Sequence, residues 1–157
     1  MGKNTLLDTY RKAAGLTLVI LLVCSCSLPR IITLKDPLKP EEHIKLGLTY
    51  EKDGEYIPAI EQYEMAAKKL PIAYLYIGNV YFQEAEYEKA EDAYEEAISR
   101  SGDPKAYNNL AWLYYTTDRK MKRAEELAEK AVSLAPGSEE YKDTLVKIRQ
   151  KISGMQP

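Results

Sequence analysis

The side chains best suited to chemistry are few: Cys24 and Cys26, one histidine at His43, and short runs of carboxylates. A thiol pair separated by a single residue could close a disulfide, share a metal ion or carry a covalent modification. Both cysteines sit in an apolar stretch with poor geometry for an unstrained disulfide, and a metal site asks for more ligands than two. A histidine works as a general base only with a matched partner, so a packed structural role is the plainer expectation for His43. Glu84-x-Glu86-x-Glu88 and Glu91-Asp92 read as solvated helix faces rather than acid/base pairs. Gly47 and Gly78 fall inside helical patterns, which leaves no glycine-rich phosphate loop. The expectation is therefore a protein that is not an enzyme, with no cofactor, no metal and no small-molecule substrate.

The cysteines are positioned by an N-terminal segment built as an address. Lys3, Arg11 and Lys12 precede an uncharged, mostly aliphatic run from Ala13 to Val23, the layout of a secretory signal. Even extended to Leu28 the apolar stretch is about 16 residues, short of the roughly 20 that a spanning helix requires. Val23-Cys24-Ser25-Cys26 resembles a bacterial lipobox, with a branched apolar residue three places before Cys26 and a small residue just before it. Bulky Val23 makes Cys24 the poorer candidate. The resemblance implies residues 1–25 as a lipoprotein signal peptide and Cys26 as the lipidated new N-terminus, an uncleaved anchor being the alternative. Each buried methylene contributes about 0.8 kcal/mol, so two or more acyl chains hold firmly where one does not. Ser27 lacks the aspartate that retains such proteins in the inner membrane, which favours the outer membrane, facing the periplasm. Residues 26–39 read as a tether, because Pro29, Pro37 and Pro40 exclude a continuous helix. Fully extended, residues 27–39 reach about 43–47 Å. Ile31-Ile32-Thr33-Leu34 is apolar enough to dock on the first helices or to add as a strand to a partner, and docking is the simpler expectation.

Beyond the tether one pattern recurs three times: Leu46-Gly47-x-x-Tyr50, Ile77-Gly78-x-x-Tyr81 and Leu110-Ala111-x-x-Tyr114. Each is followed by Ala59-x-x-x-Tyr63-x-x-Ala66, Ala90-x-x-x-Tyr94-x-x-Ala97 and Ala124-x-x-x-Ala128-x-x-Ala131. The gap from Tyr to Ala is 9 residues twice and 10 in the third copy, which places one extra residue in a turn. Prolines 71, 104 and 136 close the units. Pro40-Glu41-Glu42 opens a helix well, with carboxylates at its positive end, and Gly54 ends it. Helices are predicted at about 40–53, 56–69, 72–84, 87–100, 104–117, 120–134 and 139–152. The last one presents Tyr141, Leu145 and Ile148 on one side, as a capping helix does, and leaves 153–157 as a disordered tail.

The pattern resembles the tetratricopeptide repeat, a helix-turn-helix unit of 34 residues. The starts here are 31 and 33 residues apart, and Ala128 stands where an aromatic is usual. The resemblance implies an all-α solenoid of three helix pairs, about 40–70, 71–103 and 104–136, plus a capping helix over 137–152. It also places His43 at the packing position of Tyr74 and Tyr107. No single unit buries its own apolar face, so repeats must stack, and the small residues let the helices approach. In such arrays the first helices line a concave groove that holds a partner's peptide or helix. Carried onto this chain, the groove positions are Ile44, Leu48 and Lys52; Leu75, Asn79 and Phe82; Lys105, Asn108, Trp112, Tyr115 and Thr116. Trp112 ranks first, because Trp and Tyr dominate interface hot spots, though it could instead pack on the capping helix or the tether. Ile44 and Leu48 occupy two of the places where chaperone-binding members carry basic residues that clamp a terminal carboxylate, which favours an apolar segment as ligand.

Composition agrees. The chain has 13 Tyr and one Phe, and Tyr suits a thin two-layer structure whose rings are half buried with wet hydroxyls. Without residues 1–25 the chain keeps 19 basic and 23 acidic residues, a net charge of −4. That balance argues against nucleic acid. The expected partner is another envelope protein of a pilus, secretion, polysaccharide-export or peptidase-associated assembly, with the membrane touched only through lipid. A self-associating structural module that dimerises through its Tyr-rich face is the alternative.

Overall fold

The structure, a computed structural model, describes residues 36–154. Lipidation at Cys26, docking of Ile31-Ile32-Thr33-Leu34 and most of the C-terminal tail lie outside the described residues. Within them are seven helices: α1 (Pro40–Lys52), α2 (Tyr56–Ala67), α3 (Ala73–Gln83), α4 (Tyr87–Ser101), α5 (Pro104–Thr116), α6 (Met121–Leu134) and α7 (Glu139–Gly154). There is no strand among the described residues, and none of their helices is long and apolar enough to cross a membrane. The architecture is an all-α solenoid of three helix pairs closed by α7. Each helix packs on the next, and α5 also touches α3 and α7.

Local chemistry sets the ends. Pro40 occupies the first turn of α1, where its missing N–H costs nothing, and Glu42 reaches back to accept the Lys39 N–H at 2.7 Å. The turn inside each pair is built the same way. The carbonyls of Tyr50, Tyr81 and Tyr114 accept the N–H groups of Glu55, Glu86 and Arg119 at 2.8, 2.9 and 3.0 Å. Closing that ring requires a left-handed residue, supplied by Gly54 (φ 78°), Ala85 (φ 58°) and Asp118 (φ 58°). Glycine alone adopts it freely; the other two cost about 1–2 kcal/mol each. The extra residue of the third turn makes Lys120 left-handed as well, at φ 45°. Pro104 opens α5 at its first position, where the predicted helix over about 104–117 begins. Gly102 (φ 63°) ends α4, and the Asp103 carboxylate caps α5 by accepting the Lys105 N–H at 2.8 Å.

The layers meet through small residues. Ala59, Ala66, Ala90, Ala97, Ala124 and Ala131 are all fully buried. The tightest approach lies inside a pair, where a tyrosine ring of the second helix lies flat on a glycine of the first. A Cβ on Gly47 would stand 2.4 Å from Tyr63 Cε1, and one on Gly78 would stand 2.5 Å from Tyr94 Cδ1. The third pair has Ala111 and Ala128 at these places, both fully buried. The missing aromatic of the third repeat is thus matched by a larger residue opposite it. Capping helix α7 buries Tyr141, Thr144 and Ile148, and Leu145 and Ile152 pack half-buried against the same cluster.

Candidate binding face

The rings that fill the glycine notches are buried, and their hydroxyls reach polar side chains of the first helices. Tyr63 from α2 donates its hydroxyl to Glu51 Oε2 of α1 at 2.7 Å, and Gln83 Nε2 of α3 donates to Glu51 Oε1 at 2.8 Å. Tyr94 from α4 donates to Asn79 Oδ1 of α3 at 3.0 Å, and Asn109 Nδ2 of α5 donates to the same oxygen at 2.8 Å. Each tyrosine therefore ends in an amide or carboxylate that also ties neighbouring repeats together. Burial, and for Tyr63 the Glu51 carboxylate, hold both phenols above their ordinary range. Both stay neutral donors. Tyr76 stacks on Tyr63, with centroids 5.3 Å apart.

Trp112 stands between two hollows of about 240 Å³ each. One is lined by Asn79, Phe82, Gln83, Tyr94 and Asn109, the other by Asn108, Asn109, Glu140, Asp143, Thr144 and Lys147. Its indole lies 5.0 Å from the Tyr115 ring at a 30° tilt. The capping helix lays a cation over each: Lys147 Nζ is 5.4 Å from the Trp112 ring centre and Lys151 Nζ is 4.9 Å from that of Tyr115. Lys151 also donates to the Tyr115 carbonyl at 3.0 Å and pairs with Asp118 at 3.0 Å. Trp112 is thus half-buried, touched by the capping helix and still open on both flanks.

The other expected groove residues divide. Leu48 is 43% exposed, and Lys52, Lys105 and Thr116 are exposed, while Ile44, Asn79, Phe82 and Tyr115 are half-buried. Leu75 is a correction: at 4% exposure it belongs to the core with Ala106 and Leu110, because the following repeat covers it. Asn108 is also buried, at 3%, and its side-chain oxygen has no hydrogen-bond partner among the described residues. Glu51, Gln83 and Asn109 were not anticipated. Glu51 follows Gly47 by the same four residues that separate Phe82 from Gly78 and Tyr115 from Ala111, so superposing the repeats position by position would have found it.

Two chemistry-bearing groups have structural roles. His43, 4% exposed, is hydrogen-bonded through Nδ1 to Gln62 Oε1 at 2.8 Å. Glu91 is a second correction, since it is not on a solvated face but 8% exposed. It accepts the Tyr114 hydroxyl at 2.8 Å, an Arg119 N–H at 3.3 Å and a Lys120 N–H. Burial pushes its carboxyl up, but the hydrogen bonds from Lys120 and Tyr114 and the charges of Lys120 and Arg119 outweigh this and hold it below its ordinary 4.5. The same carboxylate raises Lys120, while burial, then the Glu91 hydrogen bond, push Tyr114 up to about 12. Glu91 thereby anchors the lengthened third turn, including left-handed Lys120, to the preceding repeat. No group of three or more His, Cys, Asp or Glu side chains among the described residues could hold a metal ion. Another hollow, about 420 Å³, is lined by Glu64, Tyr74, Ile77, Tyr81, Lys89, Asp92, Ala93 and Glu96 and shares no residue with those flanking Trp112.

Known proteins match this geometry. The chain is similar in structure to the first TPR of Spaghetti (RPAP3) bound to the HSP90 peptide SRMEEVD, at 24% identity and TM-score 0.66, over 75% of this chain and 96% of that one. It is similar to the second TPR domain of human RPAP3 in complex with the HSP70 peptide SGPTIEEVD, at 24% identity and TM-score 0.61, over 71% and 98%. It is also similar to MamA, at 26% identity and TM-score 0.57, over 76% and 81%. No curated protein matches the chain. A family model described as tetratricopeptide repeat matches residues 44–104 and again 75–139. With more than half of its length so matched, and its helix pairs stacked through the glycine, alanine and tyrosine positions of that repeat, the chain belongs to the tetratricopeptide repeat family.

Proposed function

We propose that this protein is a non-catalytic adaptor whose first-helix face holds a peptide or helix of another cell-envelope protein, while lipid on Cys26 ties the adaptor to the membrane. The observation that carries the reading is Trp112, a half-buried indole standing between two hollows, beside Tyr115 and a row of amides. An aromatic anchor flanked by hydrogen-bonding groups is how interfaces concentrate affinity. Two structural neighbours are bound to an HSP90 peptide and an HSP70 peptide, which supports a peptide as the class of ligand. Leu48, 43% exposed, and half-buried Ile44 give the α1 end an apolar surface, so an apolar segment suits it better than a free carboxylate.

The envelope placement rests on the charged start, the apolar run and Val23-Cys24-Ser25-Cys26. Ser27 favours the outer membrane, facing the periplasm. A pilus, secretion, polysaccharide-export or peptidase-associated assembly is the setting this combination fits. The test is a crosslinked pulldown from membranes with the wild-type chain, Trp112→Ala, and Leu134→Ala as an exposed control on α6. The adaptor reading expects a partner recovered with the wild type and the control and lost with Trp112→Ala. Undiminished recovery with Trp112→Ala rejects this face as the binding site.

A further inference from the structure

Asn108 is the unexplained group of the molecule. A buried amide oxygen without a donor costs free energy unless something outside the fold supplies one. Asn108 is 3% exposed, its Oδ1 has no partner among the described residues, and it lines the hollow between α5 and α7. The remaining polar lining is the carboxylates of Glu140 and Asp143, both exposed on α7, with Asn109, Thr144 and the cation of Lys147. The wall is the Trp112 indole. A buried acceptor, two carboxylates and an aromatic face together ask for a flat cation with several N–H groups.

The chain already shows that a cation fits. Lys147 lies over Trp112 at 5.4 Å and pairs with Asp143 at 2.6 Å. Its side chain is 43% exposed and that of Asp143 is 60% exposed, so the pair contributes little and gives way readily. An ammonium carries its three donors at one point, whereas a guanidinium spreads five across a plane that can stack on indole while its edge meets separate acceptors.

We propose that this hollow receives an arginine side chain from an extended segment of the partner. Trp112 stacks on the guanidinium and Glu140 and Asp143 accept from its edge; Lys147 swings out, and the Asn108 amide, whose Oδ1 has less than 1 Å² of exposed surface, turns toward the hollow to accept the innermost N–H. The proposal rests on the first-helix face being the binding face and adds what one position of the ligand must be.

Trp112 is the single tryptophan, so its emission reports the hollow directly. The experiment titrates the full chain with heptapeptides of one apolar background whose central residue is arginine, citrulline or glutamate. Citrulline keeps the shape of arginine and removes the charge. The arginine peptide is expected to shift Trp112 emission saturably and to bind about tenfold tighter than the citrulline peptide, the effect of one good charge-assisted contact. The surface double variant Glu140→Gln/Asp143→Asn is expected to erase that preference, and Asn108→Leu to reduce it. Equal binding of all three peptides overturns the arginine site and leaves the adaptor reading intact. A site for the partner's arginine is equally overturned if the double variant keeps the preference. Loss of all peptide binding, with partner capture indifferent to Trp112→Ala, overturns the adaptor reading itself.

Discussion

Gly78→Ala tests the packing rule of the solenoid. The added Cβ would stand 2.5 Å from both Cδ1 and Cε1 of Tyr94 and 3.1 Å from Cγ. These are atoms of the ring body, not a flexible end. The ring cannot retreat easily, since Tyr94 is 2% exposed and its hydroxyl is held by Asn79 at 3.0 Å. Overpacking of this kind costs about 1–3 kcal/mol. Replacing a mid-helix glycine by alanine returns about 1 kcal/mol of helix propensity. With two contacts this short the clash sits in the upper half of its range, and the net loss is about 1–2 kcal/mol. Tyr94→Ala alone should cost about 3–5 kcal/mol as a large cavity. In that background the clash is gone, and Gly78→Ala should stabilise by about 1 kcal/mol, recreating the Ala111/Ala128 pairing of the third repeat. Urea unfolding of the four proteins, followed by helical circular dichroism, measures both effects. If Gly78→Ala stabilises the protein whether or not Tyr94 is present, the ring moves freely and the reasoning is wrong.

Other outcomes follow from the same contacts. Leu75→Ala should cost about 2–4 kcal/mol as a core truncation, and Leu48→Ala under about 0.5 kcal/mol as a surface change, both read from urea midpoints. Glu91 has a depressed native pKa, so the unfolded state takes up its proton first as pH falls. Its contribution is complete above the ordinary carboxylate value and disappears as pH drops through the depressed one. Stability against pH should therefore fall less steeply on the acid side in Glu91→Gln than in the wild type. Cys26→Ser should abolish incorporation of a labelled fatty acid and release the protein from membranes on fractionation; retained label on Cys26→Ser would move the anchor elsewhere.

Much of this molecule is legible in its sequence because its signals are local. Pro40 and Gly54 punctuate the chain by backbone chemistry alone, and the fixed spacing of glycine, tyrosine and alanine names the packing positions. What escaped depends on through-space neighbours. Leu75 holds the same repeat position as Ile44, yet the next repeat buries it. Glu91 looks like part of an acidic face, and only the lengthened third turn, which carries Arg119 and Lys120 over it, makes it an internal anchor. The pairing of glycine with tyrosine across each unit explains why Ala128 accompanies Ala111, a compensation between residues 17 apart. On the proposed binding face the aromatic side chains were readable by type, whereas the unpaired acceptor of Asn108 depends on what α7 does not supply.

The adaptor account stands or falls on which face meets the partner. A photoreactive amino acid placed in turn at Leu48, Phe82 and Tyr115 on the first helices, and at Ile57, Glu95 and Lys130 on the second helices, maps this in membranes. The account predicts one crosslinked adduct of constant added mass from the first set alone, lost when Trp112→Ala is added. Adducts of that mass from the second set, or from both sets equally, would contradict it.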